Sequence, residues 1–262
     1  MSMRKREIVA AILLPLLYLY IMKLPPAYFL GLLALACTMA QSEFYKMYAL
    51  SGGLRIFGLA YGLFFLYIAY LGILNIMYVI AFFLLTLVVR LFSSKHSPEN
   101  ALQDIAPAVI GFLYIPFVLS LLIYIREAGP GWVIYTGVVV WASDSCAYYT
   151  GKNLGKNKLY PSMSPKKTWE GAIGSVIGGG IFSILLKFLL LPELASTHSL
   201  ILGLILGAVA VVGDLSESMF KRDAGVKDSS ELLPGHGGIL DKLDGIIFAT
   251  PVVALYLRYF LR

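Results

Sequence analysis

The most informative stretch of the chain runs from Ser218 to Asp244, where charged residues and glycines separate two strongly apolar segments. Its ionisable side chains include Lys221, Arg222, Lys227, Asp228, His236, Asp241, Lys242 and Asp244. Charged side chains so close to hydrocarbon are costly, and proteins keep them where they bind ions or substrates. Cations and glycine backbone hold polyanions, whereas carboxylates hold metal ions. The stretch therefore indicates chemistry on phosphates at a membrane surface.

Acidic residues within the apolar segments indicate a metal site. Asp144, Asp214 and Glu217 lie in predicted membrane spans, and Asp241 and Asp244 lie at the start of another. Asp214 and Glu217 share one helix face, as do Asp241 and Asp244, because residues three apart are neighbours on a helix. Such hard oxygen ligands suit Mg²⁺, which takes a few carboxylates together with water and substrate phosphates. A cation or proton relay in a transporter and simple pairing with lysines are the alternatives.

A basic loop follows the apolar segment 130–150. Its lysines alternate with Gly, Ser and Thr, and they are Lys152, Lys156, Lys158, Lys166 and Lys167. Lysines beside free backbone amides can hold phosphates, and Thr168 with Glu170 is predicted to cap the next helix, whose N-terminus attracts anions. No Walker pattern is present, which argues against a soluble-type nucleotide loop. An ordinary positively charged loop is the alternative.

A second loop carries Pro234-Gly235-His236-Gly237-Gly238 just before Asp241. Its glycines allow the backbone to approach a ligand closely. A histidine in a loop is more often solvated than catalytic, so only its position between glycines and carboxylates makes His236 a candidate.

Composition places the chain in a membrane. Of its 262 residues 59% are hydrophobic and 14% are charged, and the mean hydropathy is +0.80. Stretches that approach the roughly 20 apolar residues needed to cross the hydrocarbon layer occur at 8–24, 27–41, 54–71, 73–92, 104–125, 130–150, 171–191, 199–219 and 243–261. They lack the strict alternation of membrane β-barrel strands. We predict an all-α, polytopic integral membrane protein with about nine transmembrane helices.

The positions of the cations predict the orientation. Sixteen of the 21 lysines and arginines fall on the side of the N-terminus and of the loops 151–170 and 220–242. That side is therefore predicted to be cytoplasmic. We expect a multi-pass protein of the cell (inner) membrane with its active site on the cytoplasmic side, in contact with the lipid bilayer and with no nucleic acid. Residues 1–130 are predicted to be scaffold helices, and residues 131–262 the catalytic region.

Glycines at helical spacing predict close helix packing. Gly171, Gly174 and Gly178 lie along one span, and Gly203 and Gly207 along the next. Small residues at such spacing let two helices approach each other. Packing within one chain is the expected use, and a homodimer interface is the alternative.

Two stretches together carry a family signature. The first is Asp144-Ser145-Cys146-Ala147-Tyr148 followed by Ser164-Pro165-Lys166-Lys167-Thr168-Trp169-Glu170-Gly171. The second contains Ser218-x-Phe220-Lys221-Arg222, Lys227-Asp228-x-Ser230, Leu233-Pro234-x-His236-Gly237-Gly238-Ile239 and Asp241-x-Leu243-Asp244. They resemble the phosphatidate cytidylyltransferases, membrane enzymes that make CDP-diacylglycerol. Lys242 departs from the family pattern, which usually has Arg there.

The resemblance implies transfer of the cytidylyl group of CTP to phosphatidic acid, with release of pyrophosphate and a requirement for Mg²⁺. The implied metal ligands are Asp214 and Asp241, with Asp144 and Glu217 as outer members. The implied catalytic residues are Asp214, Asp241, Lys221, Arg222 and Lys227. Substrate contacts are implied for Ser164, Lys166, Lys167, Thr168, Asp228, His236, Gly237, Gly238 and Asp244.

The residues alone are also compatible with two other functions. The same transfer to another lipid phosphate, such as an isoprenoid ether lipid, would need a closely related site. A cation-coupled transporter would use the buried acids as a relay, although the sequence shows no evident internal repeat of the kind that many transporters have. Dependence on CTP with pyrophosphate release separates the enzymes from the transporter.

Overall fold

The computed structural model describes residues 15–93, 98–230 and 237–260. Its helices are α1 (15–23), α2 (Pro26–Met47), α3 (Gly52–Tyr70), α4 (Ile76–Leu91), α5 (Ala101–Phe112), α6 (Leu121–Ala128), α7 (Pro130–Leu154), α8 (Trp169–Leu190), α9 (Ser196–Asp223) and α10 (Leu240–Phe260). A 3₁₀ turn (Pro98–Asn100) precedes α5, and a π-helical turn (Leu113–Phe117) with Pro116 follows it. A proline inside a helix lacks the amide for a regular hydrogen bond, which favours such a turn.

Six helices in the described part of the chain are long and apolar enough to cross a membrane, namely α2, α3, the continuous stretch Ala101–Ala128, α8, α9 and α10. An all-α membrane protein therefore fits, but the predicted count of about nine spans is not confirmed. Helix α4 has only 16 residues, or about 24 Å at 1.5 Å per residue. Helix α7 has 25 residues, but its second half carries Asp144, Lys152 and several hydroxyl side chains.

The chain divides into two compact units. The first unit contains Met1–Phe29, Tyr124–Arg222 and Asp244–Arg262, and the second contains Leu30–Ile123 and Asp223–Leu243. The loop that follows α9 thus belongs to the same unit as α2 to α5. The division into a scaffold before residue 130 and a catalytic region after it is a functional one, and it stays a prediction.

In the first unit, α7 to α10 pack through small residues. A side chain at Gly178 would collide with Cys146, and one at Gly207 would collide with the backbone carbonyl of Ser175. In return, Ser175 Oγ donates a hydrogen bond to the carbonyl of Gly207 at 2.9 Å. A Cβ at Gly213 would lie 2.5 Å from the backbone carbonyl of Asp244 on α10. The expectation that the glycines serve packing within the chain is confirmed for these helices.

The second unit has an aromatic core between α3, α4 and α5. Phe82 and Phe112 stack with their ring centroids 3.9 Å apart, and Tyr61 and Phe65 surround them. Beside this core, Gln41 Nε2 of α2 donates a hydrogen bond to the carbonyl of Gly58 on α3 at 3.1 Å, and Tyr45 Oη of α2 donates to the carbonyl of Ala108 on α5 at 3.0 Å. Aromatic pairs of this kind add to the free energy of burial, and the two hydrogen bonds attach α2 to α3 and α5.

A small β-hairpin was not expected from the sequence. Strand β1 (Lys158–Tyr160) pairs antiparallel with β2 (Ser164–Thr168) within the predicted basic loop. Its strands are three and five residues long, and the second contains Pro165. The sequence therefore has no alternating apolar pattern that would predict them. The hairpin leads directly into α8 and carries Lys166 and Lys167 there.

Candidate active site

Three carboxylates of the first unit come together at the ends of two helices. One oxygen each of Asp214 and Glu217 on α9 and of Asp244 on α10 lies within 4.8 Å of the others. Glu217 is 1% exposed and Asp244 is 8% exposed. Like charges held together away from water are costly unless a cation or a proton offsets them. The group therefore has the composition and spacing of a site for a divalent cation with oxygen ligands.

Two lysines partly neutralise this carboxylate group. Lys167 Nζ of the hairpin lies 2.6 Å from Asp214 Oδ2, and Lys221 Nζ donates to Glu217 Oε2 at 2.7 Å. The Lys221 pair is buried and joins residues one turn apart on α9. These two lysines pair with Asp214 and Glu217, which leaves the third carboxylate of the group available to a cation.

A cavity of about 480 Å³ opens beside Asp214 in the first unit. Its lining includes Asp144 and Lys152 of α7, Lys166 and Lys167 of β2, and Asp214. Ligand sites in proteins have volumes of roughly 300–1,000 Å³. Because cations and carboxylates line the same cavity, it can hold a phosphate group and a metal ion side by side.

The start of α8 is fixed by contacts that the sequence partly predicted. Thr168 Oγ1 accepts a hydrogen bond from Gly171 N at 3.1 Å, which confirms Thr168 as the N-cap. Glu170 instead accepts from Asn157, from the side-chain amide at 2.9 Å and from the backbone amide at 3.2 Å. A Cβ at Gly151 would lie 3.1 Å from Thr168 Oγ1. These contacts hold β2 and its two lysines against α7 and α8.

Arg222, a predicted catalytic residue, also supports the hairpin. Its Nε donates to the backbone carbonyl of Met163 in the hairpin turn at 3.2 Å. Ser164, predicted to bind substrate, is the first residue of β2 and is half-buried. Both residues thus lie at the end of the first unit that carries the cavity lysines.

The described glycines of the signature, Gly237 and Gly238, lie in the second unit beside Asp241. Asp241 Oδ2 accepts from Gly238 N at 2.7 Å and from Ser229 Oγ at 2.9 Å. Gly237 has a φ of 79°, and a Cβ there would lie 2.5 Å from Asp241 Oδ2. Only glycine adopts this backbone readily at so short an approach. The predicted close approach of backbone to phosphate at these glycines stays a prediction.

The remaining predicted site residues of the second unit are either exposed or outside the described residues. Lys227 and Asp228 are exposed, and His236 lies outside the described residues. At the end of α9, Asp223 Oδ2 accepts from Tyr48 Oη at 2.9 Å. Burial raises the pKa of Tyr48 and the bond to Asp223 raises it further, so the phenol stays protonated and keeps donating.

Sequence reasoning missed Glu43. It lies near the end of α2, is 3% exposed, and accepts hydrogen bonds from the backbone amides of Ile239 and Leu240. The signal in the sequence was a lone carboxylate directly after an apolar segment. A carboxylate in that place is costly unless it has partners, and nothing in the spacing indicates where those partners lie.

Comparisons with known proteins agree with this chemistry. The family model described as "Cytidylyltransferase family" matches residues 4–260. A phosphatidate cytidylyltransferase of Haemophilus influenzae is 45% identical over 132 residues, which are 47% of this chain and 44% of that protein. One of Mycobacterium bovis is 40% identical over 154 residues, 58% of this chain and 50% of that protein. One of Bacillus subtilis is 35% identical over 161 residues, 60% of each chain.

The matched part is thus about half the length of these relatives. The family match is longer, because it extends over nearly all of the chain. On that match, and with a carboxylate group and a lysine-lined cavity in place, the protein belongs to the cytidylyltransferase family.

Proposed function

We propose that the protein transfers the cytidylyl group of CTP to phosphatidic acid and forms CDP-diacylglycerol and pyrophosphate. The observation that carries the proposal is the carboxylate group of Asp214, Glu217 and Asp244 with Lys167 bound to it at a cavity edge. Nucleotidyl transfer needs both a cation site and positive side chains for a triphosphate. Family membership supports the same activity.

Mg²⁺ fits the donor set of this site. Three hard oxygen ligands lie within 4.8 Å of one another, and Mg²⁺ prefers a few carboxylates together with phosphates and water. Asp214, Glu217 and Asp244 would hold the ion, with Asp144 on the wall of the adjoining cavity. When bound, the ion supplies positive charge that stabilises the phosphate oxygens during transfer. Asp241 stays a predicted ligand, to be tested beside them.

The residues of the chain mainly position two polyanions. An oxygen of the phosphatidate phosphate attacks the α-phosphorus of CTP, and the bond to the bridging oxygen of pyrophosphate breaks. The electron pair of that bond leaves with pyrophosphate, whose charge Lys166 and Lys167 stabilise from the cavity wall. The nucleophile is a phosphate group that is already anionic near neutral pH. No side chain is therefore required as a general base.

The site is proposed to lie on the cytoplasmic side of the cell membrane. The hairpin lies at the start of α8, and the carboxylates on α9 lie in its C-terminal half. The loops next to these two helix ends are rich in lysine and arginine, and such loops face the cytoplasm. CTP would arrive from water, whereas phosphatidic acid would arrive along the bilayer. A homodimer stays a prediction, and the glycines that could have formed its interface pack within the first unit instead.

The test is pyrophosphate release by the full chain in detergent micelles with CTP, phosphatidic acid and Mg²⁺. We expect release that requires all three components and that an ether-linked lipid phosphate supports less well. Equal rates with both lipids would leave nucleotidyl transfer in place but contradict the choice of phosphatidic acid. No release with either lipid from folded protein would contradict the enzyme and favour cation transport.

A further inference from the structure

Glu43 is a buried carboxylate of the second unit for which the proposed chemistry has no use. Its Oε1 accepts from Ser230 Oγ at 2.6 Å and from Ile239 N at 3.0 Å. Its Oε2 accepts from Leu240 N at 2.9 Å and from Ser229 Oγ at 3.2 Å. Each oxygen therefore binds one hydroxyl and one amide, taken from two places about ten residues apart in the chain.

We infer that Glu43 is a positioning residue for the signature segment, by which we mean the described residues 229–230 and 237–241, and that it sets the position of Asp241. The inference rests on the proposed function, because it gives Glu43 a part in the same reaction. It adds a residue of α2, from the part of the chain that the sequence had assigned to scaffold helices. Glu43 touches neither substrate in this role and acts through the segment.

Contacts within the second unit join Glu43 to Asp241. Ser229 Oγ lies 3.2 Å from Glu43 Oε2 and 2.9 Å from Asp241 Oδ2, so its single hydroxyl proton is shared between the two carboxylates. Gly238 donates its amide to Asp241 Oδ2 at 2.7 Å. A side chain at Gly238 would collide with both Ser229 and Glu43. Asp241 therefore has little freedom to move while Glu43 holds the segment.

The negative charge of Glu43 suits the start of α10. The amides of Ile239 and Leu240 come at the N-terminus of this helix, where backbone donors have no partner inside the helix. A carboxylate satisfies them and also interacts favourably with the helix dipole. Asp241 follows in the first turn of α10, and Asp244 of the carboxylate group comes one turn later on the same helix. The orientation of that first turn thus depends on Glu43.

Replacement of Glu43 by glutamine removes the negative charge of the side chain and keeps its shape. In Glu43→Gln the side-chain volume is kept, but one oxygen becomes an amide group that can only donate. The serine hydroxyls can rotate to accept from it, whereas the backbone amide on that side cannot. Glu43→Gln therefore loses one amide contact of the segment without opening a cavity. Ser230→Ala removes a single donor and offers a milder version of the same change.

The experiment compares wild type, Glu43→Gln, Ser230→Ala and the control Glu99→Gln, an exposed acid of the same unit. Steady-state kinetics give kcat and KM for CTP, and hydrogen exchange reports on peptides that cover 237–242. We expect a kcat lowered roughly 10–100-fold in Glu43→Gln, as misplacement of a reacting group by about 1 Å produces. KM for CTP changes less than about threefold, and exchange accelerates in 237–242 but not in α7 or α8.

Two outcomes would overturn the inference. One is a Glu43→Gln protein with wild-type kcat and wild-type protection of 237–242. The other is faster exchange throughout the second unit with activity lost only in proportion to folded protein, since that describes a structural residue. Absence of transfer by the wild type would overturn the proposed function instead, and the exchange data would still decide whether Glu43 holds the segment.

Discussion

Among single residues, the site contains carboxylates that repel one another and lysines that attract them. Asp214, Glu217 and Asp244 lie within 4.8 Å, and Lys167 and Lys221 lie against two of them. Such an arrangement lowers the stability of the isolated protein and raises its affinity for a cation and a polyanion. Substitutions of these residues should therefore change activity and stability in different directions.

Asp244→Asn removes one charge from the carboxylate group and keeps the side-chain shape. We expect kcat to fall by at least about 100-fold, equivalent to about 2.7 kcal/mol, and half-maximal activity to need more Mg²⁺. The unfolding temperature in metal-free detergent should not fall, because repulsion within the group is relieved. Pyrophosphate release and thermal unfolding measure the two effects. Glu193→Gln, an exposed acid in the loop before α9, is the control, and an active Asp244→Asn enzyme would contradict the site.

Lys167→Met removes the ammonium group that contacts Asp214 and lines the cavity. We expect KM for CTP to rise about 10–100-fold, because a charged contact to phosphate is worth roughly 1.5–3 kcal/mol. Initial rates over a range of CTP concentrations measure the change. Lys156→Met, an exposed lysine of the same loop, should leave KM unchanged. Equal effects of the two substitutions would mean that only the general charge of the loop matters.

At the scale of elements, the hairpin and the start of α8 act as one piece. Thr168 ends β2 and caps α8, while Glu170 holds the loop at Asn157. Caps and turns of this kind depend on local residue types, so Thr168 could be predicted from the sequence. The hairpin could not, because its two strands are short and polar and only their pairing with each other defines them.

Thr168→Ala tests the coupling between this cap and the cavity. Loss of an N-cap hydrogen bond costs about 0.5–2 kcal/mol, so we expect a lower free energy of unfolding and a severalfold higher KM for CTP as Lys166 and Lys167 move. Thr168→Ser keeps the accepting oxygen and should restore both values. Denaturant unfolding in micelles and initial rates measure them. A Thr168→Ser variant as impaired as Thr168→Ala would show that the methyl group, and not the cap, is what matters.

For the whole molecule, the orientation in the membrane decides which compartment would supply CTP, the proposed substrate. Helix α8 has 22 residues, or about 33 Å at 1.5 Å per residue, which is enough to separate its two ends by a bilayer. The hairpin precedes it and the loop that carries Glu193 follows it. We predict that the hairpin faces the cytoplasm and the Glu193 loop the opposite side.

Cysteine labelling tests this orientation. In a background with Cys37→Ala and Cys146→Ala, a membrane-impermeant maleimide should label Ser162→Cys only in inside-out vesicles. Glu193→Cys should be labelled only in right-side-out vesicles. Both positions are exposed, so reactivity reports the side of the membrane and not burial. The reverse pattern would place the proposed active site outside the cell.

The membrane class, the helical architecture and the kinds of side chain at the site could be predicted from the amino-acid sequence. Hydropathy and motif spacing are local properties of the chain, and they can be read without knowing which segments meet. The count of about nine spans is not confirmed, because α4 is short, α7 mixes polar with apolar residues, and the predicted span 8–24 lies partly outside the described residues.

Which of these groups touch depends on how the helices pack against one another. Asp244 joins Asp214 and Glu217 because α9 and α10 pack closely at Gly213, and that contact brings together residues distant in the chain. Lys167 reaches Asp214 because a hairpin turns it back toward α9. Glu43 meets Leu240, a residue 197 positions away. Contacts over such separations depend on the packing of whole helices, which no local pattern of residues encodes.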